Sequence, residues 1–157
     1  FTSINEKNPD LMIHLGDNMY LREPDWSTKT GYHHRYTHTR SLPEMQPLLA
    51  RTHNYATWDD HDYGPNNSDR TWGQKELAKE TFDAFWGNLT SGLPASKAES
   101  GSAGITSTFR YSDTDFFLLD NRSFRTPNGQ EREDNKTILG KAQLEWLIES
   151  LVFSDSP

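Results

Sequence analysis

Tyr55-Ala56-Thr57-Trp58-Asp59-Asp60-His61-Asp62 is an apolar run that stops abruptly in three carboxylates and an imidazole. The same pattern occurs upstream, where Met12, Ile13 and Leu15 pass through Gly16 into Asp17, with Tyr20 three residues on. Each stretch reads as a short strand that ends in metal-ligand chemistry. In an α/β sheet the carboxyl ends of the strands are where ligands bind, because the loops there splay apart and leave a crevice. Two strands bring oxygen donors to that edge, one adding a phenol and the other an imidazole. Together they suggest a site for hard metal ions.

Outward from these strands (residues 10–17 and 54–59), the pattern predicts helices at 31–40 and 74–86. The second has Leu77, Thr81, Phe82, Phe85 and Trp86 on one face and Gly87 at its end. Ser41-Leu42-Pro43-Glu44 reads as a capping box opening a short helix through Leu48, Leu49 and Arg51. Gly64 to Asp69 is turn chemistry, and 88–106 is a Gly/Ser/Ala/Pro loop without periodicity. Segments 108–112 and 116–120 predict a hairpin around Asp113-Thr114-Asp115. Leu144, Leu147, Ile148 and Leu151, at i, i+3, i+4 and i+7, predict a final amphipathic helix. The order points to a layered α/β fold with a mixed sheet.

Only 32% of the 157 residues are hydrophobic, and mean hydropathy is -0.90, so the aromatic residues must supply much of the core. A net charge of -7 with no basic stripe argues against nucleic acid as a partner. It leaves room for a small phosphate ester, because a bound cation reverses the local charge of an acidic cluster. Without cysteine there are no disulfides, thiolate zinc sites or Cys nucleophiles. No apolar run is long enough to span a bilayer, and nothing specifies an oligomeric state. The chain opens at Phe1 without an initiator Met and stops just after the last predicted helix, which reads as an excerpt of a larger domain.

If the chain turns into helix after Asp17, Asp17 and Tyr20 share a face, and both oxygens can reach one ion. Phenolate is a strong donor to ferric iron; packing at the strand edge is the plainer reading of Tyr20. Three carboxylates within residues 59–62 repel one another, and either a cation or full solvation relieves the repulsion. His34 and His38 are four apart, but no Glu completes the zinc-protease motif. Arg122 and Arg125 suit bidentate phosphate binding and equally suit structural ion pairs. There is no Gly-x-Ser-x-Gly elbow, P-loop or dinucleotide fingerprint.

In order along the chain, Gly16-Asp17-x-x-Tyr20, Leu48-Leu49-Ala50-Arg51, Trp58-Asp59-Asp60-His61-Asp62 and Asn66-Asn67 resemble the metallophosphatase domain of the PhoD-like (alkaline phosphatase D) family. Leu119-Asp120-x-Arg122-x-x-Arg125 and Leu139-Gly140-x-x-Gln143-x-x-Trp146-Leu147 continue the resemblance. That family is similar to purple acid phosphatases and the calcineurin-like metallophosphoesterases. The resemblance implies an α/β/β/α sandwich, of which residues 1–157 are one partial domain lacking the first strand and the C-terminal His-bearing segments.

It further implies that Asp17 is a carboxylate shared between metals and Tyr20 an iron-binding phenolate. Asp60 stands where relatives carry a metal-binding Asn, and His61 matches a proton donor. Iron with calcium is the implied cofactor set, and a secreted or periplasmic setting is implied as well. The expected function is hydrolysis of phosphate monoesters or diesters by metal-activated hydroxide, with Arg122 and Arg125 on the substrate. The alternatives are a non-catalytic metal- or glycan-binding module, or an inactive fragment of the phosphatase domain.

Overall fold

Parallel pairing of β1 (Leu11–Leu15) with β2 (His53–Thr57) organises the molecule. The computed structural model describes residues 1–88, 92–98, 102–130 and 136–156. Leu11 lies opposite His53 and Leu15 opposite Thr57, so both strands leave the sheet at the same level and edge. A parallel pair needs a long crossover. A short helix, α1 (Thr2–Asn5), precedes β1, and the crossover runs through α2 (Lys29–Arg40) and α3 (Gln46–Arg51). The antiparallel pair β3 (Ser107–Tyr111) and β4 (Thr114–Leu118) forms a separate two-stranded sheet. The α/β class therefore holds, with parallel and antiparallel pairing in two small sheets. They meet where Tyr55 stacks on Phe109, ring centroids 3.6 Å apart.

The main core is aromatic, as the low aliphatic content requires. Trp58, immediately after β2, is fully buried and packs edge-on against Tyr63 and Phe82. Tyr32 and Tyr36 of α2 and Phe82 of α5 (Lys75–Phe85) close over it. α2 is capped by Thr28, whose hydroxyl accepts the Gly31 N–H at 3.0 Å. Arg40, near the end of α2, lies over the Trp86 ring with its guanidinium carbon 4.3 Å from the ring centre. A second cluster joins Leu93, Phe124 and Trp146.

Some local expectations are corrected. Ser41 is not the N-cap of the next helix: its backbone N–H and hydroxyl donate to the carbonyls of Thr37 and His38, so it is the C-cap of α2. α3 instead begins after Met45, with Pro47 in its first turn, where a missing N–H costs nothing. The hairpin turn is shorter than predicted, only Ser112-Asp113, with Ser112 in the left-handed region at φ 55°. Within the predicted 88–106 loop, Ala95–Lys97 forms one 3₁₀ turn, and 89–91 and 99–101 lie outside the described residues.

α6 (Lys141–Val152) forms as expected but turns its expected face partly outward: Gln143 and Trp146 are buried and Leu147 packs against the Trp146 cluster, while Leu144, Ile148 and Leu151 are exposed. Among the described residues no helix is long and apolar enough to cross a membrane.

Candidate metal centre

Gly16 makes the site possible. A Cβ there would lie 2.7 Å from Asp59 Cβ, and its φ of 101° is one that L side chains rarely adopt. The two strand exits therefore touch. The turn continues through Asp17, also in the left-handed region at φ 48°. No helix follows Asp17, so a shared helical face is not what brings Tyr20 to it. Instead residues 17–21 are stitched to the β2 exit. Asn18 Nδ2 donates to the Thr57 carbonyl at 2.9 Å, and the Leu21 N–H reaches the His61 carbonyl at 3.4 Å. Asn18 N and Met19 N both donate to Asp62 Oδ1, at 2.9 and 3.2 Å.

This bend turns Tyr20 back onto Asp17, its hydroxyl donating to Oδ2 at 2.9 Å. The Tyr20 ring lies 4.6 Å from the His61 imidazole, centre to centre. Asp60 and His61 open α4 (Asp60–Tyr63), a single turn directly beneath. Asp17, Asp60 and His61 each place a ligand atom within 4.8 Å of the others. Asp17 is exposed, His61 half-buried and Asp60 buried, so the cluster has one open side.

The three carboxylates after Trp58, alike in sequence, have three separate jobs. Asp59 Oδ1 accepts the Arg122 Nε–H at 2.7 Å, a second N–H from Arg122 Nη2, and Asn121 Nδ2 at 2.9 Å. Asp62 is buried and accepts three backbone N–H bonds, from Asn18, Met19 and Asp59. Burial pushes its carboxyl up to about 7, against the pull of those three bonds.

Asp60 alone joins the open cluster. Burial would raise its carboxyl, but the Asn67 N–H on Oδ2 at 2.5 Å, the Arg122 guanidinium and His61 outweigh it and hold it below the usual carboxylate range. Tyr20 is shifted upward, first by its hydrogen bond to the Asp17 carboxylate and then by that group's charge. In this state it is a neutral phenol donating to Asp17.

Two carboxylates, a phenol and an imidazole form an oxygen-rich donor set without sulfur, which suits a hard or borderline cation better than a soft one. The arrangement can neutralise a cation, hold a phosphate oxygen near it, and present a titratable imidazole to the same space.

The sequence profile of the family described as PhoD-like phosphatase matches residues 1–156. This chain belongs to the PhoD-like phosphatase family. Alkaline phosphatase D of Bacillus subtilis (strain 168) is 26% identical to it over 178 aligned positions, covering 90% of this chain and 30% of that protein. A solved structure titled "Structure of PhoD" superposes with a TM-score of 0.69 at 25% identity, covering 94% of this chain and 34% of that one. The chain thus spans about a third of the length of these PhoD-like relatives.

Within this PhoD-like edge, Asp17, Tyr20, Asp60 and His61 come together from two strand exits. Arg122 borders them, 7% exposed, with its guanidinium on Asp59 and its Nη2 3.8 Å from Asp60 Oδ1. Arg125 is not in this group. Its Nη2 lies 3.4 Å from Asn128 Oδ1, and it lines a separate cavity of about 340 Å³ with Thr126, Lys136 and Thr137.

Sequence reasoning missed Asp120 and Gln143, both essentially inaccessible to solvent. Asp120 accepts from Trp58 Nε1, from the backbone N–H groups of Arg122 and Ser123, all at 2.9 Å, and from Ile105 N at 3.1 Å. Gln143 closes on the Asp120 backbone, accepting its N–H at 2.7 Å and donating to its carbonyl at 2.8 Å. Their presence in the Leu119-Asp120 and Leu139-Gly140-x-x-Gln143 stretches was the available signal.

Proposed function

We propose that this chain carries the central part of the active site of a metal-dependent phosphoesterase. The observation that supports it best is the convergence of Asp17, Asp60 and His61 ligand atoms within 4.8 Å, with the Tyr20 phenol on Asp17, in a chain of a phosphatase family. Asp17 and Asp60 would hold the metal, with Tyr20 as the donor that favours iron and calcium as its companion. When bound, such cations act as Lewis acids on phosphate oxygens and acidify water.

The residues themselves supply the rest. Asp60 is oriented by the Asn67 N–H and stays ionised. Tyr20 covers His61 on one side and holds its ring at the cluster. His61, half-buried at the open face, donates a proton to the departing ester oxygen. Arg125, in its own cavity, would meet a more distant part of a substrate. Phosphate monoesters and diesters both fit these chemical roles.

One distance favours a second role for His61. Its ring nitrogen lies within ligand range of both carboxylates, so it is also placed to bind metal directly. Leaving-group chemistry separates the two. In the full-length protein His61→Ala should slow hydrolysis of an alkyl phosphate by about 100- to 10,000-fold. The p-nitrophenyl ester, whose anion leaves readily, should be slowed much less, with metal content near wild type. Equal loss on both esters together with loss of metal would make His61 a ligand.

A further inference from the structure

Three successive residues leaving β2 are each gripped by the segment leaving β4. Thr57 Oγ1 donates to the Leu119 carbonyl at 2.7 Å, and Trp58 Nε1 donates to Asp120 Oδ1 at 2.9 Å. Asp59 Oδ1 then accepts from Asn121 Nδ2 and twice from Arg122. The next residues along β2's exit are Asp60 and His61. The remaining Arg122 nitrogen, Nη1, donates to the Ser68 carbonyl at 3.2 Å, just beyond Asn67, whose N–H holds Asp60 from its other oxygen. Three of the five Arg122 N–H groups are thus given to protein acceptors on both sides of Asp60. The Nε–Nη2 edge, one that could grip a phosphate bidentately, is taken by Asp59, and the side chain is only 8% exposed.

We propose that Arg122 is a positioning residue: paired with Asp59, it fixes the backbone from which Asp60 reaches the metal and does not itself contact phosphate. This inference rests on Asp17 and Asp60 being the metal-binding carboxylates. Outer groups that orient metal ligands typically change metal affinity by 10- to 100-fold when removed. Asp59, a neighbour of Asp60 in sequence, belongs to that outer layer with Arg122.

The test is a double-mutant cycle on the full-length protein, apo and then titrated with Mn²⁺ alone by calorimetry well below the unfolding temperature. Arg122→Met and Asp59→Asn should each weaken Mn²⁺ binding by about 10- to 100-fold. The double variant should be no weaker than the worse single one, because both break the same pair. With Mn²⁺ saturating, the dissociation constant for inorganic phosphate should stay within about twofold of wild type in Asp59→Asn and Arg122→Met alike.

A phosphate-binding Arg122 gives the opposite result. Arg122→Met then weakens phosphate binding with Mn²⁺ affinity unchanged, and Asp59→Asn alters neither. Should Arg122→Met fail to fold, Asp59→Asn decides alone, since unchanged Mn²⁺ affinity in it overturns the proposal. Asp17→Ala serves as the reference: if it leaves Mn²⁺ affinity intact, the metal-site reading fails independently of Arg122.

Discussion

At the strand-exit edge, order is carried by polar side chains. Asp59, Asp62 and Asp120 each accept three or more N–H bonds, and each of those bonds crosses from one chain segment to another or closes a turn. On α6 the reverse holds. An apolar stripe of Leu144, Ile148 and Leu151 faces outward, while a glutamine occupies the most buried position of the helix. Residue type thus predicts burial poorly in both regions. Buried carboxylates are tolerated where backbone donors converge on them, and leucines remain exposed where a polar anchor turns the helix the other way. An exposed apolar stripe of this kind marks an interaction surface more often than a random surface does.

The largest effect should come from removing the hub that joins the two regions. Asp120→Ala leaves the Trp58 indole and three backbone N–H groups unpaired in the interior and also removes the side chain beneath Gly104. Each unpaired buried donor costs about 1–3 kcal/mol, so a loss of at least about 3 kcal/mol is expected in urea unfolding. A change under about 1 kcal/mol would show that this network does not hold the sheets together.

Within α6 the contrast is between two neighbouring positions. Trp146→Ala should cost about 3–5 kcal/mol, because the indole packs on Phe117 and its cluster. Ile148→Ala, two residues away, should stay within about 0.5 kcal/mol. Similar losses at the two positions would mean that the outward stripe is covered in solution.

The strands, the helices and the meeting of Asp17, Asp60 and His61 at one edge were legible because they depend on local pattern: an apolar run that stops at carboxylates. The division of labour among Asp59, Asp60 and Asp62 was not. It depends on Arg122, which lies 63 positions from Asp59, and on backbone donors at Asn18 and Met19. The buried side of α6 was illegible for a related reason. Apolar spacing gives a helix its period but not its facing, and Gln143 is held inside by hydrogen bonds to Asp120, which no hydropathy pattern records. Tyr20 does lie beside Asp17, but through a bend held by Asp62 and not through the shared helical face that the spacing allowed. Arg122 and Arg125, three residues apart, look like one phosphate clamp in sequence and sit in different surroundings in the fold.

The most direct test of the metal edge is elemental analysis of the purified full-length protein, wild type beside Asp17→Ala and Asp60→Ala, with iron and calcium both supplied during expression. Both variants should lose bound metal and phosphoesterase activity together while keeping a wild-type circular dichroism spectrum. Metal occupancy unchanged in both would contradict the account and return these carboxylates to the status of solvated loop residues.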